Sequence, residues 1–383
     1  MTETIQDVLE PVRRIAGDAD APPATGTAIC LSGGGYRAML FHAGVLWRLC
    51  ETGWLAGVDR ISSVSGGAMT AGVLATVWDK VVTAADRRVA FDELVVARVR
   101  KLASHSIDST SIAAGIASPL STIGEQVEGQ LRRHLLGDFR LADLPVTPKF
   151  IFNATNTGSG KLVRFSRTEL ADWRVGRIQN PDFRLSVAVT AASAFPPFLS
   201  PYHLDLTGQT WTTDEGNDLV GADYRDEFAL TDGGVYDNLG LETAWKRCRT
   251  LFVADAGGIL SAEPDPASDW ARHIARVGHI IDSQVRALRK RQVIDSFNAG
   301  LRDGGYVGIR SDVAGYGAPD TLPAPFAATT ALADVSTRLK KLPELTQQRL
   351  INWGYAIADA GLRSHVDSTA GPDPVYPYPG GVA

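Results

Sequence analysis

Long apolar runs are missing from this 383-residue chain. No uncharged stretch approaches the ~18 residues that a membrane-spanning helix needs, so the sequence offers no such span. Cysteine is scarce too. Cys30, Cys50 and Cys248 are odd in number and far apart, which argues against a disulfide framework and for buried thiols in a reducing compartment. Neither sign of charge dominates: 38 basic against 43 acidic side chains leave a net charge of -5, so nucleic acid is not expected as a partner. The opening segment, Met1 to Ala24, interleaves Glu3, Asp7, Glu10, Arg13, Arg14 and Asp18 and lacks the charged-then-apolar layout of a secretory signal. The expectation is a cytoplasmic chain that touches a membrane, if at all, transiently and from one side. Neither G-x-G-x-x-G nor G-x-x-x-x-G-K-S/T occurs at the glycine-rich stretches, and acid clusters such as Asp223 to Glu227 lack the His or Cys company of a zinc site. No internal repeat and no clear second-domain boundary appear, and nothing sets an oligomeric state.

What is present is an ordinary globular composition, 44% hydrophobic and 21% charged. Thr25 to Leu31 reads as a buried strand that ends in Ser32-Gly33-Gly34-Gly35-Tyr36-Arg37, and the spacing of Met39, Leu40, Val45, Leu46 and Leu49 predicts a helix over 38–49. A second strand, Val58 to Val64, stops at Ser65, and Gly66 to Val82 continues as helix. Strand, glycine loop, helix, strand, corner, helix begins a layered α/β domain with parallel strands. A serine at a strand-to-helix corner presents its Oγ beside the positive end of the helix, which suits a nucleophile. The required small neighbours are Ser63 and Gly67. Three consecutive glycines let N–H groups approach an anion closely, so Gly33, Gly34 and Gly35 are candidates for an oxyanion hole. Farther on, Asp232 leaves a short strand beside Gly233 and Gly234. In a partly dry cleft such a carboxylate has a raised pKa and can act as base.

Between these turns, Val89 to Arg100 and Gly124 to Leu136 read as helices, and the Ser/Thr-rich stretch from Ser104 to Thr122 as a mobile loop or lid. Lys149 to Thr155 and Lys161 to Phe165 form a hairpin signature, Leu185 to Phe195 a small-residue helix, and Tyr202 to Thr212 a polar extended run. Asp237 and Asn238 are placed to cap a helix from Leu239 to Cys248. Thr250 to Ala256 reads as a strand and Trp270 to Phe297 as a long helix. Leu332 to Leu342 and Leu345 to Leu362 read as amphipathic helices covering the core, and residues 366–383 as a loosely held tail.

Taken together, the three turns resemble the patatin-like phospholipase family, in particular its cytosolic phospholipase A and lysophospholipase branch. The residues that carry the resemblance are Ser32-Gly33-Gly34-Gly35-Tyr36-Arg37-Ala38, Ser63-Val64-Ser65-Gly66-Gly67, Asp232-Gly233-Gly234, and the segment Ala191 to Phe198 with its paired prolines. They span roughly positions 26 to 258. The resemblance implies a three-layer α/β fold with a central, mostly parallel sheet and helices on both faces, over a domain of residues 25–365 preceded by an extension of 1–24. It implies a serine lipid acyl hydrolase with a Ser65–Asp232 dyad, Gly33 to Gly35 as oxyanion donors, an acyl-serine intermediate and no metal or cofactor. The substrate would be a phospholipid or lysophospholipid, its phosphate paired with Arg37. A competing enzyme reading is an α/β-hydrolase triad, Ser65 with Asp232 or Asp255 and then His273, His279 or His365. A lipid-binding module of the same fold is a third. His42 and His203 read as packing or wall residues, and the basic residues of the 270–297 helix as a face toward solvent, an anionic membrane or a partner.

Overall fold

The computed structural model describes residues 25–107, 122–197 and 199–383. The lid expectation falls almost wholly on 108–121 and the N-terminal extension on 1–24, both outside the described residues.

Eleven strands form one sheet among the described residues. The first three are β1 (Gly26–Leu31), β2 (Arg60–Ser63) and β3 (Lys149–Asn156). After them come β4 (Lys161–Phe165), β5 (Glu169–Asp172), β6 (Gly176–Gln179), β7 (Tyr202–Asp205), β8 (Trp211–Thr212) and β9 (Glu227–Asp232). β10 (Cys248–Asp255) and β11 (Asp303–Gly308) complete it. The central order β11-β10-β1-β2-β3 is parallel throughout. Beyond β3 the sheet continues antiparallel through β4, β5, β6 and β8, while β9 pairs antiparallel with both β3 and β7. The chain moves from β1 to β2 and β3 in one direction and later returns to add β10 on the other side of β1. That reversal leaves a crevice at the carboxyl ends of the central strands, where ligands of open α/β sheets bind.

β1 is buried on both faces, as a parallel strand covered by helices must be. Ile29 and Leu31 point into the larger core, and Ala28 and Cys30 into a smaller one with Leu251, Val253 and Val293. On the first face lie α1 (Gly35–Glu51), α2 (Ser65–Val82) and α3 (Leu185–Ala192). On the other lies α4 (Trp270–Asn298), whose buried residues are Val293 and Ser296 alone. α5 (Phe326–Ala333) leads to α6 (Glu344–His365), which packs on α1 so closely that a Cβ on Gly44 would strike the Ile351 carbonyl and one on Gly354 the Phe41 carbonyl. The three layers carry helices on both faces of the sheet.

Three expectations need correction, and one strand was missed. The helix anticipated over 332–342 is instead α5, ending at Ala333; residues 334–343 run irregularly because Asp334, Ser336 and Thr337 favour turns and Arg37 holds the Ala333 and Val335 carbonyls. The helix over 239–248 shrinks to Glu242–Trp245, and Cys248 already opens β10. Asp237 still caps this turn, accepting the N–H groups of Leu239 and Glu242. β11 escaped the sequence reading because half its residues are glycine, and a Cβ on Gly304 would run into the Leu251 carbonyl. The tail is held: Asn352 Nδ2 donates to the Tyr378 and Gly381 carbonyls, Arg48 to the Pro372 carbonyl, and Arg100 lies 4.9 Å over the Tyr378 ring.

Candidate active site

β2 delivers Ser65. Ile61, Ser62 and Ser63 are fully buried, the Val64 N–H donates to the Leu31 carbonyl, and α2 begins at the serine itself. Ser65 has φ +51°, the left-handed region that a non-glycine residue enters at a cost of roughly 1–3 kcal/mol. Strain of that kind persists only where the surroundings impose it. Here the next residue, Gly66, lies against the glycine loop, where a Cβ would strike the Gly35 carbonyl, so the corner cannot relax in that direction.

The glycine loop leaves β1 and turns into α1. Gly35 adopts φ +58° and a side chain there would meet the Thr337 carbonyl, so glycine is required for both conformation and space. The Gly33 N–H is already given to the Asn238 carbonyl at 3.0 Å, which removes it from the expected set of oxyanion donors. Gly34 and Gly35 give their N–H groups to no acceptor among the described residues. The loop is braced from beneath: Ser32 Oγ accepts the Ala256 N–H at 2.7 Å, and His42 Nε2 lies 3.0 Å from the Ser32 carbonyl. Burial pulls His42 down to about 4, so near pH 7 it is neutral and Nε2–H is the donor to that carbonyl. Arg37 is engaged in structure through both terminal nitrogens, with only its buried Nε–H left without an acceptor among the described residues. Buried at 2% exposure, it donates to the carbonyls of Ala333, Val335 and Ala256 and does not line the cavity.

β9 ends at Asp232, whose N–H donates to the Ala194 carbonyl at 2.9 Å. Its Oδ1 accepts the Gly234 N–H at 2.7 Å, and its Oδ2 is buried without a completed hydrogen bond. Burial raises this carboxyl to about 7; the Gly234 N–H and the Ser65 hydroxyl oppose the rise, and Asp282 adds to it. The hydroxyl is thus near enough to favour the charged carboxylate while the pair stays open, the arrangement expected of a base before substrate arrives. Ser65, Asp232 and Gly33 to Gly35 line one cavity of about 320 Å³. Its other walls come from residues that motif reasoning did not assign to the site: Asn238, Ile259, Leu260, Asp282, Arg286 and Thr337. Phe195 and Ile259, both more than half exposed, stand at its mouth.

The alternative partners lie elsewhere or are occupied. Asp255 Oδ2 meets Lys290 Nζ at 2.5 Å and accepts the Tyr306 hydroxyl at 2.7 Å, while its Oδ1 accepts the Gly257 N–H. His203 pairs with Glu227 on the surface, His365 stands against the Tyr316 ring, and His273 is exposed on α4. His279 alone among the sequence candidates for a triad reaches the cavity wall, and it is exposed.

A left-handed serine opening a helix at the carboxyl edge of a parallel sheet, with a glycine loop beside it, belongs to the class of α/β proteins built around a nucleophile corner. The family model "Patatin-like phospholipase" matches residues 29–245, more than half of the chain, and the chain belongs to that family. No curated protein sequence matches it. Among solved structures, human GIVD cytosolic phospholipase A2 is similar over 88% of this chain and 59% of its own length, with 13% identity and a TM-score of 0.50. The same enzyme in complex with methyl gamma-linolenyl fluorophosphonate gives 15% identity, a TM-score of 0.51 and coverage of 88% and 57%. VipD from Legionella pneumophila aligns over 90% of this chain and 68% of its own, at 15% identity and a TM-score of 0.35. At these identities the human enzyme speaks to the fold, and this chain spans less than three-fifths of its length.

Proposed function

We propose that the chain hydrolyses the carboxylic esters of phospholipids or lysophospholipids with Ser65 as nucleophile and Asp232 as general base. The observation that carries this is the meeting, in one cavity, of a strained serine and a buried carboxyl raised to about 7. Asp232 takes the proton from Ser65 Oγ as Oγ bonds to the acyl carbon, and the Gly34 and Gly35 N–H groups receive the negative charge that develops on the carbonyl oxygen. The tetrahedral adduct breaks its bond to the glycerol oxygen, which leaves with the proton from Asp232. Water then attacks the acyl-serine and loses a proton to Asp232, and fatty acid departs as Ser65 recovers its hydrogen. No step calls on histidine.

The substrate class draws support from family membership and from the surface beside the cavity. Trp270, Ile274, Ile281, Val285 and Leu288 recur at helical spacing along α4 and are all exposed, with Arg272 and Arg291 between and beyond them. An apolar stripe with basic neighbours suits the interface of a lipid layer, and it adjoins the cavity at His279 and Asp282.

The test is fatty-acid release from phospholipid and lysophospholipid vesicles. Ser65→Ala and Asp232→Asn, each checked for a native fold by a cooperative melt no lower than wild type's, are expected to lower release by roughly 10³-fold or more. Full release by Ser65→Ala would sink the reading.

A further inference from the structure

A second cavity of about 370 Å³ opens where β10 and β11 end, and Gly258, Ile259 and Arg286 form the wall it shares with the Ser65 cavity. Both cavities therefore lie in the crevice at the carboxyl edge of the sheet, the region where the strand order reverses. The two differ in charge. Ser65's cavity contains Asp232 and Asp282 with Arg286, whereas the second gathers Arg286, Lys290 and Arg310 around one carboxylate, Asp255.

That carboxylate is already neutralised. Lys290 and the Tyr306 hydroxyl occupy its Oδ2 and the Gly257 N–H its Oδ1. The three cations keep donors in reserve. Arg310 uses Nη2 on the Ala333 carbonyl and Asp334, and its buried Nε–H has no acceptor. Arg286 uses Nη1 on the Gly258 carbonyl, while its Nε lies 3.1 Å from Asp282 Oδ2 at an angle that completes no hydrogen bond. Lys290 spends one of three N–H groups on Asp255. Ser283 and Ser311 line the same space, and Ser311 Oγ accepts the Gly308 N–H at 3.2 Å.

We infer that this chamber binds a phosphate group, gripped by Arg286, Lys290 and Arg310. Two planar guanidinium forks and an ammonium lining one space match a tetrahedral dianion, and a partly enclosed site strengthens each charge-assisted bond. Two sources could supply the anion: the head group of a lipid whose ester lies at Ser65, with Arg286 forming the threshold, or free phosphate. The first rests on the acyl-hydrolase reading; the second does not.

The experiment has two arms on the intact chain. In the first, melting is followed with inorganic phosphate against chloride at constant ionic strength. Wild type is expected to gain roughly 2–4 °C at saturating phosphate, Arg310→Gln and Arg286→Gln to lose the gain, and Arg310→Lys to keep part of it. No gain in wild type, or a gain that persists in both glutamine variants, overturns the site whether or not any lipid is hydrolysed. In the second arm, kcat/KM is compared on lysophosphatidate and on a monoacylglycerol, which lacks phosphate. A fall of about tenfold in the preference for the phosphate-bearing ester in each glutamine variant assigns the chamber to the head group. A melting gain with an unmoved preference assigns it to free phosphate and overturns the head-group source. Absence of fatty-acid release from every ester by wild type defeats the acyl-hydrolase reading alone, and the melting arm still judges the chamber.

Discussion

Asp232 and Asp255 close β9 and β10 with the same local device. Each is buried, and each turns Oδ1 onto the N–H of a glycine two residues later at 2.7 Å. Their second oxygens part company. Asp255 Oδ2 faces Lys290 and the Tyr306 hydroxyl; Asp232 Oδ2 is buried with no hydrogen-bond partner among the described residues, and the Ser65 hydroxyl acts only weakly on that carboxyl. Burial works to raise both carboxyls. At Asp255 Lys290 overrules it and the pKa falls to about 2, while at Asp232 burial prevails and the pKa rises to about 7. One oxygen's partner thus separates a fixed strut from a carboxyl that titrates near neutrality, as the proposed base requires.

The sharpest break of this comparison is to make the same substitution at both sites. At pH 8 Asp232→Asn removes a charge that is buried against its preference and is expected to stabilise the fold by about 1–3 kcal/mol, while activity collapses. Asp255→Asn removes the partner of Lys290 and is expected to destabilise by about 2 kcal/mol, a figure held down because the lysine is 39% exposed. Urea midpoints of the two variants check the signs. If both substitutions move stability the same way, the contrast between the two carboxyls is wrong.

The pH dependence sharpens the same contrast. Activity that needs Asp232 ionised should rise about tenfold per pH unit below about 7 and level off above it, measured as kcat/KM from pH 5 to 9. Stability runs the other way at this residue. Its folded pKa exceeds the unfolded value of about 3.9, so between that value and about 7 the native state holds the extra proton, and Asp232's contribution declines as pH rises through the window. Asp255 contributes fully above its unfolded pKa and loses that contribution as pH falls toward about 2. Comparing unfolding across pH in wild type and Asp232→Asn isolates the first slope, which should vanish in the variant.

A third break acts on the serine's side of the cavity. Gly66→Ala pushes a Cβ into the Gly35 carbonyl, so it should cost about 1–3 kcal/mol of stability and lower kcat more than it raises KM, because the donors beside Ser65 shift with the loop. Steady-state kinetics with a parallel melt separates the two effects. An alanine variant with native stability and native kcat would mean that the corner and the loop are not braced against each other.

The corner, the glycine loop and Asp232 were legible because each demands small residues beside a polar one, a requirement that survives in sequence without neighbours. Parallel strands such as β1 and β10 announced themselves as apolar runs. What stayed hidden depends on distant segments: the Asn238 carbonyl takes the Gly33 N–H, and Arg37, more than three-quarters of the chain away from Ala333, has its guanidinium claimed by that residue's carbonyl. No local pattern records that an arginine next to a glycine loop is already spent. The tail read as loose because prolines and glycines lack periodicity, yet Asn352 of α6 fixes it through both ends of one amide. The α4 stripe has helical spacing that marks it as amphipathic, and the same spacing leaves open which side faces the protein.

The smallest expected effect is at His279, the one histidine of the triad reading that lines the cavity. A triad histidine must hold both the nucleophile and an acid, and its ring must be fixed by the latter. His279 is exposed on α4, and the acids near it already face cations: Asp282 lies 3.1 Å from Arg286 Nε as an ion pair, and Asp255 holds Lys290. His279→Ala should therefore change kcat/KM by less than about threefold and leave the apparent pKa near 7 where Asp232 sets it. A loss of a hundredfold with an unchanged melt would hand the proton to the histidine. The inflection near 7 would then belong to an imidazole, and the difference between Asp232 and Asp255 would describe two struts rather than a strut and a base.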